Sequence, residues 1–369
     1  MNKSSIHSRI TEDISLRWGA YKALDWKGKL RCLGNFVIRN SIGIGIAIFA
    51  IIVHIYNKKF GYANNFISFV NLGNVVLTSS RVLPMALGIG CVMMLSEIDF
   101  SAGRMQGLAT CVSQSLLQRS FSEYSSKQFP NLVAPPAIVV LPLAIAIGAF
   151  FGAINGVIVS RFKAPSFIAT LGTKLMLLGI TLWYLRRGAG DGGPISGSTE
   201  EFLLFVKGKV TILGISIPHY VFYVIVAAAI LWFIWNKTAL GKNMHAVSVN
   251  PEAARVSGIS VIKTTVLAFM ISGMFFGFSG FIEAAHMSSN RIYSETDLLA
   301  ILACLIGGVS TTGGTKKIKN IVIGAFLLVV FFEAVYWLRA PSHLQYLLIG
   351  VLIVVSAVVN KKRHSTIIR

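Results

Sequence analysis

An all-α integral membrane protein with about ten transmembrane helices is the fold class this sequence predicts, on three observations. Of its 369 residues, 54% are hydrophobic and 13% charged, whereas soluble domains carry about a quarter charged residues. The mean hydropathy is +0.69. Apolar runs recur from end to end, most of them long enough to cover a hydrocarbon core of about 30 Å.

The first 36 residues are polar and basic. They lack the apolar core and cleavage site of a signal peptide and are expected as a cytoplasmic tail. The predicted transmembrane domain, 37–360, holds spans at 37–56, 72–95, 103–117, 136–160, 166–185, 217–236, 264–286, 298–310, 318–338 and 344–360. A cytoplasmic loop at 237–263 and a second cytoplasmic tail at 361–369 complete the map. The third and eighth runs are too short to cross as straight helices. Ten spans divide into two sets of five, and an odd set size forces the halves into opposite orientations. The short run is third in each half, a pattern that points to a translocation pathway.

An even number of spans puts both termini on one side. With that side cytoplasmic, most of the 34 Lys and Arg residues fall inside, the positive-inside bias. Lys58 and Lys59 lie on the other side. The net charge of +20 therefore reads as topology and not as a nucleic-acid footprint, and no basic–aromatic pattern accompanies it. Trp183, Tyr220, Trp235 and Trp337 fall near span ends, as interfacial aromatics do. Cys32, Cys91, Cys111 and Cys304 have no paired spacing and are expected as free thiols, with no disulfide or metal site. The chain has no GxxxxGK[ST], HExxH, GxSxG or clustered His. It is expected to bind no nucleotide cofactor itself and not to be an enzyme.

Four stretches carry more specific expectations. Gly148, Gly152 and Gly156 recur every four residues on one helix face, and Gly273 and Gly277 repeat the spacing; small faces let membrane helices pack closely. The loop 237–263 contains a short capped helix. Asn250 suits the N-cap, Pro251 the first helical position, Glu252 the positive helix end and Gly258 the left-handed stop. Ala253 and Ala254 favour helix, and a small Ala face suits insertion into a groove, with Arg255 free to pair with an acidic rim. In "SEIDFSAGR", Asp99 or Ser101 is expected to cap the third span. This junction reads either as a capped turn with solvated charge or as the inner mouth of a pathway. Glu283, His286 and Glu333 lie near span ends and read either as intramembrane functional groups or, more readily, as side chains snorkelling to the interface; Lys174 sits nearer mid-span, expected to pair with a neighbouring carbonyl or to line the cavity. The Gly-rich stretch 186–218 is expected as a long outer loop.

"GIGCVMMLSEIDFSAGRMQGLAT", "AINGVIVSRFKAPSFIATLGT", "NPEAARVSGI" and "LIGGVSTTGG" together resemble, in order and spacing, the sugar-type ATP-binding-cassette importer permeases, whose members serve ribose, xylose, arabinose and galactose. "GPISG" and "WNKTALGKN" are similar to the galactose/methyl-galactoside branch. The resemblance implies a type II importer-like fold in the bacterial inner membrane and a monosaccharide substrate, most readily galactose. It implies a second permease copy, a cytoplasmic ATPase carrying ATP and Mg, and a periplasmic or lipid-anchored sugar-binding protein that could dock on the 186–218 loop. It makes Asn250, Pro251, Glu252, Ala253, Ala254, Arg255, Ser257 and Gly258 an ATPase-coupling helix. Asp99, Ser101, Gly103, Asn155, Lys174, Gly307 and Gly308 are then candidates for the pathway or its gate. Departures stand at Val249, at Ser96–Glu97, at Arg81 inside the second span and in the basic "TKKIKN". The alternative is a secondary transporter driven by H⁺ or Na⁺, which would want mid-membrane carboxylates; the only span carboxylates are Glu283 and Glu333.

Overall fold

The structure, a computed structural model, describes residues 26–59, 66–119, 127–187, 192–193, 195–212, 215–287, 296–309 and 317–367. Most of the predicted N-terminal tail, and most of the connections on either side of the eighth span, lie outside these residues. The helices are α1 (Trp26–Lys59), α2 (Phe69–Met93), α3 (Ala102–Leu116), α4 (Ala137–Arg161), α5 (Ser166–Arg187), α6 (Glu200–Lys207), α7 (His219–Lys237), α8 (Ala239–Val249), α9 (Pro251–Val256), α10 (Val261–His286), α11 (Thr296–Ile306), α12 (Ile318–Trp337) and α13 (Ser342–Ile367). Two short strands, β1 (Lys209–Ile212) and β2 (Ile215–Pro218), pair antiparallel with Lys209 opposite Pro218.

Eight of the described helices are long and apolar enough to cross a membrane: the 40–59 part of α1, then α2, α4, α5, α7, α10, α12 and the 342–360 part of α13. The other two predicted spans are the short α3 and α11. The fold is therefore all-α and membrane-embedded, as composition requires. Helix is the element that satisfies its own backbone in lipid, so Pro84 and Pro142 stand inside α2 and α4 without ending them.

One expectation needs correction: the 237–263 loop holds two helices, α8 and α9, where one was expected. Helix α1 begins at Trp26, ahead of its apolar span at 40–59, and α13 runs on to Ile367, beyond its apolar span at 342–360; both spans fall close to those expected. The 186–218 stretch, expected as a long outer loop, carries α6 and the β1–β2 hairpin.

Helix α10 is the axis of the bundle. It is buried along most of its length and packs on α2, α3 and α4. On α4, Gly148, Gly152 and Gly156 line this contact. A Cβ at Gly148 would stand 1.9 Å from the Gly273 carbonyl oxygen, and one at Gly152 2.3 Å from that of Phe269. From the other side, a Cβ at Gly277 would stand 2.1 Å from the Ala144 oxygen. The two backbones touch, so only glycine fits. Helix α7 ends and α10 begins at the loop 237–263, which defines one end of the bundle, the loop end. Helix α6 and the hairpin lie at the far end, where α10 finishes and α7 begins.

Candidate functional site

Three regions hold the residues singled out in the sequence. The first is the loop end. Asn250 Oδ1 accepts hydrogen bonds from the backbone N–H groups of Glu252 (3.0 Å) and Ala253 (3.1 Å), which caps α9. Pro251 takes the first helical position. Ser257 closes the helix, and Gly258 follows with φ +82°, a left-handed stop. Glu252, Ala253, Arg255 and Ser257 are exposed. Glu252 and Arg255 form a loose pair at 3.4 Å, so Arg255 already has a partner on its own helix. Ala254 corrects the expectation of an Ala face free for a groove. It is buried in the same cluster as Met244 and Val247 of α8, and the exposed apolar groups of this end include Val249, Val256 and Ile262.

The second region is the polar junction between α2 and α3. Asp99 is fully buried, so it is not a solvated charge. Neither Asp99 nor Ser101 caps α3 through its side chain. Asp99 Oδ1 instead accepts from Ser101 N–H (2.8 Å) and Ser101 Oγ–H (2.5 Å), a turn closed just before the helix. Ser101 Oγ accepts from Asn155 Nδ2 (2.9 Å), and Asn155 Oδ1 accepts from Thr173 Oγ (2.6 Å). The backbone N–H groups of Ile98 and Phe100 donate to Ser166 and Thr170. The junction is thus bound to α4 and α5 by side chains on every side. Gly103 lies buried in the first turn of α3.

Lys174, one residue beyond Thr173, does not pair with a carbonyl. Its Nζ meets Asp297 Oδ2 at 2.6 Å. Asp297 is fully buried in the first turn of α11, where the helix dipole favours a carboxylate, although it lies just outside the expected span 298–310. Thr296 donates to Gln106 Oε1 (2.6 Å), and Gln106 Nε2 donates to Ser279 (3.0 Å), which ties α11, α3 and α10 together. Gly307 ends α11 so close to α12 that a Cβ would stand 2.1 Å from the Asn320 carbonyl oxygen. Gly308 adopts φ +81° and turns the chain away from α11.

The third region is a cavity of about 470 Å³ at the far end, between α2, α7, α10 and α12. Its walls include Asn74, Thr78, Arg81, His286, Glu333 and Trp337. Arg81 Nη2 pairs with Glu283 Oε1 at 2.7 Å. Tyr220 donates to the Leu77 carbonyl (3.2 Å) and stacks edge-on against His286, with centroids 4.9 Å apart. Burial, with the Arg81 guanidinium nearby, pushes the Lys207 ammonium of α6 below its ordinary value, against the pull of Glu283. Snorkelling alone therefore does not describe these residues: His286 and Glu333 line the cavity with Arg81, and Glu283 holds Arg81 from beside it. A signal for it stood in α2. Asn71, Asn74, Thr78 and Arg81 follow at spacings of three and four, on one face of an apolar span.

The chain is similar in sequence to known permeases along most of its length. Residues 71–357 match the family described as branched-chain amino acid transport system / permease component. The galactose/methyl galactoside import permease protein of Salmonella typhimurium is 35% identical over 303 residues, covering 81% of this chain and 89% of that protein. Its Escherichia coli counterpart is also 35% identical, with the same coverage. The ribose import permease protein of Escherichia coli is 31% identical over 304 residues, 81% of this chain and 88% of that protein. No solved structure matches the chain. A helical, membrane-embedded chain with these relatives along four-fifths of its length belongs to the permease family of ATP-binding-cassette sugar importers.

Proposed function

We propose that this chain is the pathway subunit of an ATP-driven importer for galactose or a methyl galactoside in the bacterial inner membrane. The observation that carries the substrate is the 35% identity to galactose/methyl galactoside import permeases. Both termini and the 237–263 loop face the cytoplasm in this reading, in line with the positive-inside bias. ATP and Mg sit on a separate ATPase, since the chain has no phosphate-binding loop of its own. Two copies of the permease form the pathway, and a sugar-binding protein docks on the far end, where the hairpin is exposed.

Coupling runs through α9. Its outer face offers Ala253, Val256 and the Glu252–Arg255 pair to the ATPase. Its inner face is anchored by Ala254 to α8, and α8 and α9 both pack on α10. A push on α9 is therefore delivered to the central helix. From there it reaches the junction of Asp99, Ser101, Gly103 and Asn155, the Lys174–Asp297 pair, and Gly307–Gly308 at the end of α11, which shape the inner gate. Alternating access follows from these elements having two packed arrangements.

The test uses the exposed face. Ala254→Trp is a poor probe, because it would wreck the chain's own packing. Ala253→Arg and Val256→Asp leave that packing untouched. The chain is expected to co-purify from mild detergent with an ATPase encoded beside it, and both variants to release the ATPase while the permease stays inserted. Retention of the ATPase, with normal uptake, in both variants would overturn the coupling role.

A further inference from the structure

The far-end cavity has the composition of a small-molecule site. At about 470 Å³ it falls within the range of about 300–1,000 Å³ that such sites occupy. It sits beside the ends of four helices, and a polar stripe on α2 leads down it from Asn71 to Arg81. Asn71 is engaged, with Nδ2 donating to the Phe66 carbonyl (2.9 Å). The side chains of Asn74 and Thr78 make no hydrogen bond among the described residues, and both line the space. An exposed amide and a half-buried hydroxyl on the cavity wall, neither engaged by the protein, are free to meet a ligand with donors and acceptors of its own.

Charge narrows the class. Arg81 is met by Glu283 at 2.7 Å, so it is not a free anion site. Glu333 is in the same wall, which disfavours an anion further. A cation would face Arg81, with Lys207 near enough to feel the same pair. The charges cancel, and what is left is hydrogen-bonding capacity. Trp337 and Tyr336 add flat apolar faces beside it, amphipathic rings that suit a molecule with one polar edge and one C–H face.

We infer that this cavity is a sugar subsite within the permease itself, taking a neutral monosaccharide of hexose size between the polar stripe of α2 and the Trp337 end of α12. The inference rests on the importer reading above for its direction: sugar released at the far end enters here before the inner gate opens.

The experiment is thiol protection in the full chain, in detergent or lipid discs, with neither ATPase nor binding protein added. Cys91, Cys111 and Cys304 are buried. In a Cys32→Ser background, Leu77→Cys, a wall residue that is not one of the sugar's hydrogen-bonding groups, is labelled with a membrane-impermeant maleimide, with D-galactose as the probe. Galactose at about nine times its Kd slows labelling about tenfold, the factor 1 + [L]/Kd of mass action. Adding Thr78→Val to the same chain raises the galactose needed for half-protection about fivefold, as loss of one hydrogen bond does. ATP-driven galactose uptake by the wild-type complex is measured in parallel. Uptake without protection overturns the subsite and leaves the importer standing. Protection without uptake supports the subsite and overturns the galactose importer. Protection unmoved by Thr78→Val overturns the placement of the sugar on α2.

Discussion

Two contacts hold the middle of this bundle, and they are built on opposite principles. The seam between α4 and α10 is closed because side chains are missing: Gly148, Gly152, Gly273 and Gly277 bring backbone against backbone. The junction around Asp99 and Asp297 is closed because side chains are present and matched, through Ser101, Asn155, Thr173, Lys174 and Gln106. In lipid neither can rely on the hydrophobic effect, since the tails are as apolar as leucine. The seam should therefore fail when any atom is added, and the junction when any partner is removed.

The largest effect is expected at the seam. Gly148→Val places a branched side chain where a single Cβ already lies 1.9 Å from the Gly273 oxygen. Ordinary overpacking costs about 1–3 kcal/mol because neighbouring side chains yield; here the obstacle is backbone. No monodisperse protein should be recovered after detergent extraction. The comparison is Gly107→Ala on α3, where a Cβ would meet nothing within 4 Å. That variant should change the thermal midpoint by an amount worth less than about 1 kcal/mol. Equal behaviour of the two variants would break the account of the seam.

The junction comes next. Lys174→Met leaves Asp297 buried and charged, with Oδ1 already lacking a partner. Removing one member of such a pair costs about 3–5 kcal/mol. The double variant Lys174→Met/Asp297→Leu removes both charges and should melt at a higher temperature than Lys174→Met alone. A double variant as damaged as the single one would mean that the pair matters through packing and not through charge.

How much of this was legible varies with the range of the interaction. The spans were, because an apolar run of membrane length has few other fates. The cap of α9 was, because Asn250, Pro251 and Glu252 act within one turn. Which alanine of α9 faces inward was not: six residues carry too little periodicity to separate Ala253 from Ala254. The partner of Lys174 lies 123 residues away, and no local pattern joins them. The hairpin was missed although a signal existed. Val210–Thr211–Ile212 and Ile215–Ser216–Ile217 are separated in the sequence by only Leu213 and Gly214, the spacing of a short hairpin. The cavity was missed for a different reason. Its polar residues were noticed one at a time at span ends, when the stripe on α2 had already placed four of them on one face.

The smallest effect gives the sharpest test, because it compares two adjacent residues of α5. Gly172 is exposed, and a Cβ there would meet nothing within 4 Å. Thr173 is buried and donates to Asn155 Oδ1. Thr173→Val keeps the shape and deletes the hydroxyl, which leaves the Asn155 oxygen unpaired in the interior at a cost of about 1–2 kcal/mol. Thr173→Ser keeps the donor and should recover most of that. Gly172→Ala should change the thermal midpoint little in either direction. If Thr173→Val were as silent as Gly172→Ala, the chain from Asp99 through Asn155 to Thr173 would not be what holds the junction. The Lys174–Asp297 pair and the bonds from Ile98 and Phe100 N–H to Ser166 and Thr170 would then have to hold it.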